Sequence, residues 1–433
     1  MNALLNFMDK YFLPVAGKIA EQRHLQAIRD GIILVMPFII IGSIFLILAN
    51  FPIPGYTEFL TKVFGDGWQQ KLTYPVSATF DIMALIAVFG IAYRLAERYK
   101  IDALTSGALA LSAFLLATPF SIMHTPEGAT DGIPVDGVIP VALMGSQGLF
   151  VAIVLAILST EIYRWFIKRD ITINLPEGVP PAVSKSFVAL IPGTVIILFV
   201  WIIRLVLEQT SFENAHNVIG DILYAPLSHI GGGLIGVLVG VTIMTLLWFA
   251  GIHGDSVVNS VMSPIWLSQM DENRMAFEAG EELPNIVTSQ FIANFVHIGG
   301  TGATIAAVIV IIFWIRSREI KDIGKVSLGP AIFNINEPVI FGLPIVMNPL
   351  LIIPFVLTPI VIILTTYFSM SFGLVAKPIG VAVPWTTPPI ISGYLATGSI
   401  SGAVIQIINI GIGILIWLPF LLVLDRQALS KEK

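Results

Sequence analysis

The stretch FNINEPVIFGLPIVMNP, Phe333 to Pro349, sets one carboxylate, Glu337, between Asn336 and Pro338 in otherwise apolar sequence. A carboxylate accepts hydrogen bonds or takes a proton, and an asparagine amide both donates and accepts. With Asn334 and Asn336 beside it, Glu337 suits a ligand rich in hydroxyl groups. A charge held at membrane depth costs at least about 2.5–3.5 kcal/mol on insertion scales, so an acid there ordinarily faces a cavity and has a task. The plainer alternative is a turn whose tip reaches water, where Glu337 costs little.

A second group lies in WFAGIHGDSVVNS, Trp248 to Ser260. Gly251 and Gly254 loosen the backbone around His253, whose imidazole donates and accepts at once, as a sugar hydroxyl or a proton transfer requires. The alternative is a histidine at a helix end capped by Asp255, which is itself either a ligand or an N-cap. Trp248 and Trp385 offer flat apolar faces to a pyranose ring, or serve as interfacial anchors among the chain's eight tryptophans. In NFVHIGGTGAT, His297 neighbours Gly299, Gly300 and Gly302, a spacing that serves close helix packing, so His297 reads as structural.

Several chemistries are excluded by what is missing. The chain has no cysteine, hence no disulfide, no thiolate metal site and no cysteine nucleophile. It contains no G-x-x-x-x-G-K-[ST], H-E-x-x-H or G-x-S-x-G. No cofactor and no metal are expected.

These residues must be positioned by a membrane protein. Of 433 residues, 56% are hydrophobic and 12% charged, where a soluble domain carries about 25% charged residues. The net charge of −5 is spread over short loops and indicates no nucleic-acid partner. The first apolar run starts near Gly31 after a polar lead, is long enough to span, and has no signal-peptide pattern before it.

Nine clear apolar runs reach spanning length: Gly31–Asn50, Val76–Ala96, Ala103–Phe120, Pro140–Phe166, Ser186–Leu207, Ile222–Ala250, Phe291–Ile315, Ile345–Met370 and Ile400–Leu424. A weaker, more polar run, His253–Gln269, makes a tenth. Charges on the connections test the count. Lys10, Lys18, Arg23 and Arg29 precede the first span; Arg94, Arg98 and Lys100 follow the second. Glu127, Asp131 and Asp136 lie in the third connection, which has no Lys or Arg. Arg316–Lys325 carries four cations, and Arg426, Lys431 and Lys433 close the chain. The signs alternate if all ten cross, placing both termini in the cytoplasm.

Residues 328–344 and 376–398 are apolar but too short and too rich in Pro and Gly to cross as helices. They read as two re-entrant hairpins, which require protein or a water-filled cavity around their irregular backbone and point to a transporter binding site. The expected class is thus an all-α polytopic membrane protein with about ten transmembrane helices and two re-entrant hairpins. The Pro-containing link Lys168–Lys185 divides it into an N-terminal membrane part, residues 1–175 with the fifth span at about 186–207, and a C-terminal part, residues 210–433. The run Gly231–Gly233 offers a hinge.

NINEPVIFGLPIVMNP, with GIHGDSVVNS upstream and FIANFVHIGGTGAT between them, resembles the enzyme IIC component of the bacterial sugar phosphotransferase system. The resemblance is to the lactose/cellobiose/diacetylchitobiose branch, above all to diacetylchitobiose and cellobiose permeases, and covers essentially the whole chain. It implies a multi-pass homodimer in the bacterial cell membrane, in contact with lipid. The first five spans would form the dimerisation domain and residues 210–433 the substrate-binding and transport domain. The resemblance places the family's glutamate on Glu337, its asparagine on Asn336 and its histidine on His253, with Trp248 and Trp385 packing on the ring. The implied substrate is a disaccharide, N,N'-diacetylchitobiose or cellobiose, phosphorylated at its C6 hydroxyl as it enters. The donor would be a phosphocysteine on a separate enzyme IIB, itself charged by enzyme IIA; a chain without cysteine must take the phosphoryl group from such a partner. Arg94–Lys100 and Arg316–Lys325 are candidate docking surfaces, although topology alone also places basic residues there. The rival readings are a proton-coupled secondary sugar transporter relaying through Glu337 and His253, and a membrane receptor that binds sugar without flux.

Overall fold

The structure, a computed structural model, describes residues 13–51, 53, 55–125, 132–173, 175, 176, 178–343 and 345–432. Lys10, Glu127, Asp131 and Lys433, used above to orient the chain, and Pro344 of the first hairpin lie outside the described residues. The fold is mostly helical, at 71%.

Five helices among the described residues are long and apolar enough to cross a bilayer: Arg23–Ala49, Ser146–Lys168, Val183–Leu207, Ile352–Ser371 and Ile400–Ser430. A sixth candidate is bent by 74° between Ala215–Gly231 and Leu234–Phe249, at the glycine run singled out in the sequence. Four expected spans take other forms. Val76–Ala96 is interrupted, with helices at Trp68–Ser77 and Met83–Tyr99. The third run forms only the 15-residue helix Ala103–Ala117. The weak run belongs to a 26-residue helix, Gly254–Ala279, whose centre is buried. Phe291–Ile315 is broken into a π-helical turn, Phe291–Val296, a glycine loop and the helix Ile305–Trp314. A hydropathy window registers apolar length but not the partners of individual backbone groups. At the break before Met83, for instance, the Thr79 hydroxyl bonds back to the carbonyls of Pro75 and Val76 at 2.7 and 2.9 Å, a side-chain competitor to helix continuation.

The all-α expectation needs one correction. Ser121–His124 and Ile133–Asp136 pair antiparallel, Ser121 opposite Asp136, as a small exposed sheet in the third connection. Four-residue strands are too short to declare an alternating pattern.

The chain forms two compact units. One holds residues 22–42 and 74–227. At its centre the Met83–Tyr99 helix packs on Arg23–Ile33, Ala103–Ala117 and Leu149–Lys168. Small residues permit the approach: a Cβ on Gly90 would strike Leu34 and Gly31. Between membrane helices, where no hydrophobic force distinguishes neighbour from lipid, such close backbone packing is the main source of association. Along these helices Tyr99 donates its hydroxyl to Glu161, which also accepts from Arg164 at 2.9 Å, and Arg98 pairs with Asp30 at 2.6 Å.

The other unit comprises the chain up to residue 21, residues 43–73 and residues 228 onward. Its core is built on Ile305–Trp314, Ile352–Ser371 and Ile400–Glu432, around the buried Phe355, Trp417 and Leu421. Ile235, Phe313 and Leu415 are exposed apolar side chains, as suits helices that meet hydrocarbon. The segment around 328–344 consists of the helix Arg318–Ile332, a turn and the short helix Glu337–Gly342. The 376–398 segment is different, with an irregular arm followed by the helix Ile391–Thr397.

That irregular arm has its backbone groups satisfied by side chains from elsewhere in the same unit. Ala382 N–H donates to Ser43 Oγ at 2.7 Å and Val383 N–H to Gln290 Oε1 at 2.9 Å. Ile390 N–H, and Gly393 N–H in the first turn of the following helix, both donate to Gln406 Oε1, and the Pro378 carbonyl accepts from Asn273 Nδ2 at 2.7 Å. Backbone without a helix survives away from water only on these terms. Gly380, at φ +83°, lies against the backbone of Arg274, where a Cβ would collide.

Candidate functional site

The residues singled out in the sequence belong to one unit and are joined largely through a segment whose glycines suggested nothing beyond close packing, the loop 297–304. Gly299, Gly300 and Gly302 have φ of +80°, +96° and +86°, a region closed to most side chains. The loop therefore turns sharply enough to present successive backbone groups to both hairpin segments.

Asn334 bonds three ways. Its Oδ1 accepts from Gly299 N–H at 2.7 Å, and its Nδ2 donates to the Trp385 carbonyl at 2.6 Å and the Thr387 carbonyl at 3.1 Å. One buried amide thus ties the turn before Glu337 to the glycine loop and to the second hairpin segment. Its own φ of +62° is a left-handed conformation that asparagine tolerates. Asn336 is 5% exposed, and its Nδ2 donates to the Thr301 carbonyl at 2.8 Å. A Cβ on Gly300 would strike the Asn336 side chain, so that glycine is required for the contact. The Asn334 side chain and the Asn336 amide group are thus engaged in holding the turn together.

Asp255 holds the other side. Its Oδ2 accepts from Trp248 Nε1 at 2.6 Å and Thr301 Oγ1 at 2.7 Å, and its Oδ1 is 3.5 Å from His297 Nδ1. The capping relation expected between Asp255 and His253 is reversed: His253 is itself the N-cap, its Nδ1 accepting from Ser256 N–H. The His253 ring also lies 4.4 Å from the ring of Trp248, which is buried.

Three groups remain presented outward. Glu337 and His253 are exposed, and Trp385 is 54% exposed. Pro338, in the first turn of the Glu337–Gly342 helix, needs no N–H partner there, so the helix can begin immediately at Glu337. The arrangement is a rigid, hydrogen-bonded frame carrying a carboxylate, an imidazole and an indole that can bond to hydroxyls and cover an apolar ring face. No group of three or more His, Asp or Glu among the described residues could hold a metal ion. Thr301 and His297 were missed as members of this frame; the signal available was the clustering of three glycines beside a histidine and a threonine.

A chain of apolar helices broken by irregular segments that carry polar groups has the architecture of a membrane transporter. Comparison with known proteins makes this specific. Residues 29–359 match the family model described as phosphotransferase system, EIIC. The chain is 57% identical over its whole length to the lichenan permease IIC component of Bacillus subtilis (strain 168), covering 96% of that protein. It is also 57% identical to the cellobiose-specific EIIC component of Geobacillus stearothermophilus, covering 100% of this chain and 97% of the relative. A crystal structure of the transporter ChbC, the IIC component of the N,N'-diacetylchitobiose-specific phosphotransferase system, superposes with a TM-score of 0.96 at 56% identity, covering 98% of this chain and 99% of that one. The chain belongs to the EIIC family of the phosphotransferase system and is a membrane sugar permease.

Proposed function

We propose that this permease carries a β-linked disaccharide, cellobiose or N,N'-diacetylchitobiose, into the cytoplasm while a separate enzyme IIB, recharged by enzyme IIA, phosphorylates the sugar's C6 hydroxyl. The observation that carries the proposal is the frame around the glycine loop. It fixes Asn334, Asn336, Trp248 and Asp255 by hydrogen bonds of 2.6–3.1 Å and leaves Glu337, His253 and Trp385 exposed. The names of the similar proteins indicate the substrate class.

In this reading Trp385 covers an apolar face of the sugar, the buried Trp248 backs the His253 ring, and Glu337 and His253 bond to hydroxyls near C6. The C6 oxygen attacks the phosphorus of phosphocysteine. The P–S bond breaks as the P–O bond forms, the hydroxyl proton passes to the Glu337 carboxylate, and the cysteine thiolate leaves on enzyme IIB. Phosphoryl transfer depends mostly on positioning and charge, so the permease contributes chiefly by holding the hydroxyl in line. Once phosphorylated, the sugar carries charge and does not return through the site.

The proposed topology is ten crossings with two re-entrant hairpins and both termini cytoplasmic, in a homodimer joined through the N-terminal spans and embedded in lipid. Enzyme IIB would dock near the Arg318–Ile332 helix, where Arg316 and Arg318 are exposed. Its Asp322 is held below the usual carboxylate range by a hydrogen bond from Lys325. The Arg94–Lys100 surface is the weaker candidate, since Arg94 pairs with Glu97 and Arg98 with Asp30.

The test is calorimetric titration of the detergent-purified protein with cellobiose, diacetylchitobiose and lactose. Saturable binding of one of the first two, abolished in Glu337→Gln, is the expected result. Binding of none of the three would overturn the assignment.

A further inference from the structure

We propose that Asp255 is a positioning residue of the sugar site, holding both groups assigned to the chemistry through intermediaries, with His297 as its partner. This rests on the function proposed above. The connections run two ways from a single carboxylate oxygen. Asp255 Oδ2 accepts from the indole of Trp248, and that ring meets the ring of His253 at 4.4 Å. The same oxygen accepts from the Thr301 hydroxyl, and the Thr301 carbonyl accepts from Asn336, the residue immediately before Glu337. Asp255 is thus linked to His253 through Trp248 on one side and to Glu337 through Thr301 and Asn336 on the other.

Its placement suits support and not direct contact with a ligand. The side chain is 19% exposed, and the indole and hydroxyl donors converge on one oxygen. The backbone is fixed as well, because the preceding Gly254 lies against the Met244 carbonyl, where a Cβ would collide. Hydrogen bonds to an ionised acceptor are roughly twice as strong as neutral ones, which makes a carboxylate the effective choice for pinning an indole and a hydroxyl together.

His297 completes the arrangement. Its Nδ1 is 3.5 Å from Asp255 Oδ1, and its Nε2 is buried without a hydrogen-bond partner among the described residues. A buried, unsatisfied ring nitrogen is costly for a residue that serves packing alone. Beside the carboxylate, the imidazole sets its Nδ1 within 3.5 Å of the second oxygen, which brings the start of the glycine loop up to the Gly254–Ala279 helix.

The experiment measures disaccharide affinity by calorimetry, together with melting temperature, for wild type, Asp255→Asn, Asp255→Leu, Trp248→Phe and the Asp255→Leu/Trp248→Phe double variant. Asp255→Asn keeps an acceptor for both donors and should bind within about threefold of wild type, whereas Asp255→Leu removes it and should weaken binding by about tenfold or more. Trp248→Phe should cost less in the Asp255→Leu background than alone, because the two act through one bond. Mere loss of fold would produce neither the asparagine rescue nor that coupling. Should Asp255→Leu fail to fold, Thr301→Val removes one of the two donors with little change of shape and should weaken binding several-fold with its melting temperature retained. The proposal is overturned if Asp255→Leu (or Thr301→Val in its place) binds like wild type, if the losses of the paired variants multiply independently, or if Asp255→Asn is as damaging as Asp255→Leu. Failure of the wild type to bind any disaccharide would instead sink the functional assignment on which this rests.

Discussion

Replacing Asn334 by alanine separates the frame from the ligand contacts. The side chain makes three hydrogen bonds, at 2.7, 2.6 and 3.1 Å, to Gly299, Trp385 and Thr387. Its loss leaves the Gly299 N–H buried without an acceptor, a penalty of about 1–3 kcal/mol. The two carbonyls retain a lone pair each for other partners, so their loss adds about 0.5–1.5 kcal/mol apiece. Alanine must also hold the left-handed φ of +62° seen at Asn334, costing roughly a further 1 kcal/mol. These terms total roughly 3–7 kcal/mol before relaxation, so Asn334→Ala should destabilise this unit by at least about 3 kcal/mol. Asn334→Asp keeps the acceptor for Gly299 but sets a carboxylate oxygen against two carbonyls, and should be at least as harmful. The assay is thermal unfolding in detergent alongside sugar titration. Both variants should lower the melting temperature clearly, with sugar affinity falling as a consequence of the loosened turn. If Asn334→Ala melted like wild type while losing sugar affinity, Asn334 would be a ligand contact and its role in the frame would be refuted.

Other positions give complementary outcomes. Gly300→Ala puts a methyl group on the Asn336 side chain at a φ of +96° and should cost about 2 kcal/mol or more, read as a lowered melting temperature and weakened sugar binding. Gly380→Ala collides with the Arg274 backbone at a φ of +83° and should lower the yield of folded protein in detergent-solubilised membranes, measured by size-exclusion chromatography. Trp385→Ala removes a ring that is 54% exposed, so it should leave the melting temperature within about 1 °C while weakening sugar binding about tenfold.

The residues of the candidate site could be picked out in the sequence, but not the bonds that hold them. Glu337 between an asparagine and a proline in a greasy chain is improbable on physical grounds, and that improbability can be read directly. The sharp bend after Gly231 was legible for a similar reason, since three successive glycines weaken an apolar helix at one point. The frame was not. Whether Asn334 binds a sugar or a backbone depends on residues 35 and 51–53 positions away, Gly299, Trp385 and Thr387, and local pattern contains nothing of that geometry. The same holds for Asp255, which a local reading assigns to helix capping while the folded chain gives that role to His253. Helix breaks such as the one before Met83 escaped because a few polar residues, Ser77, Thr79 and Asp81, do not lower the hydropathy of a long window enough to end a span. The strands at 121–124 and 133–136 escaped because they are short and exposed.

The most direct test of group translocation uses oriented membrane vesicles loaded with phosphorylated enzyme IIB, with labelled cellobiose or diacetylchitobiose outside, and identifies the trapped product chemically in wild type and in Glu337→Gln. Sugar 6-phosphate is expected inside wild-type vesicles and none in the variant, with Glu337→Gln protein melting like wild type because that side chain is exposed. Free sugar accumulating without enzyme IIB and collapsing with the proton gradient would contradict it.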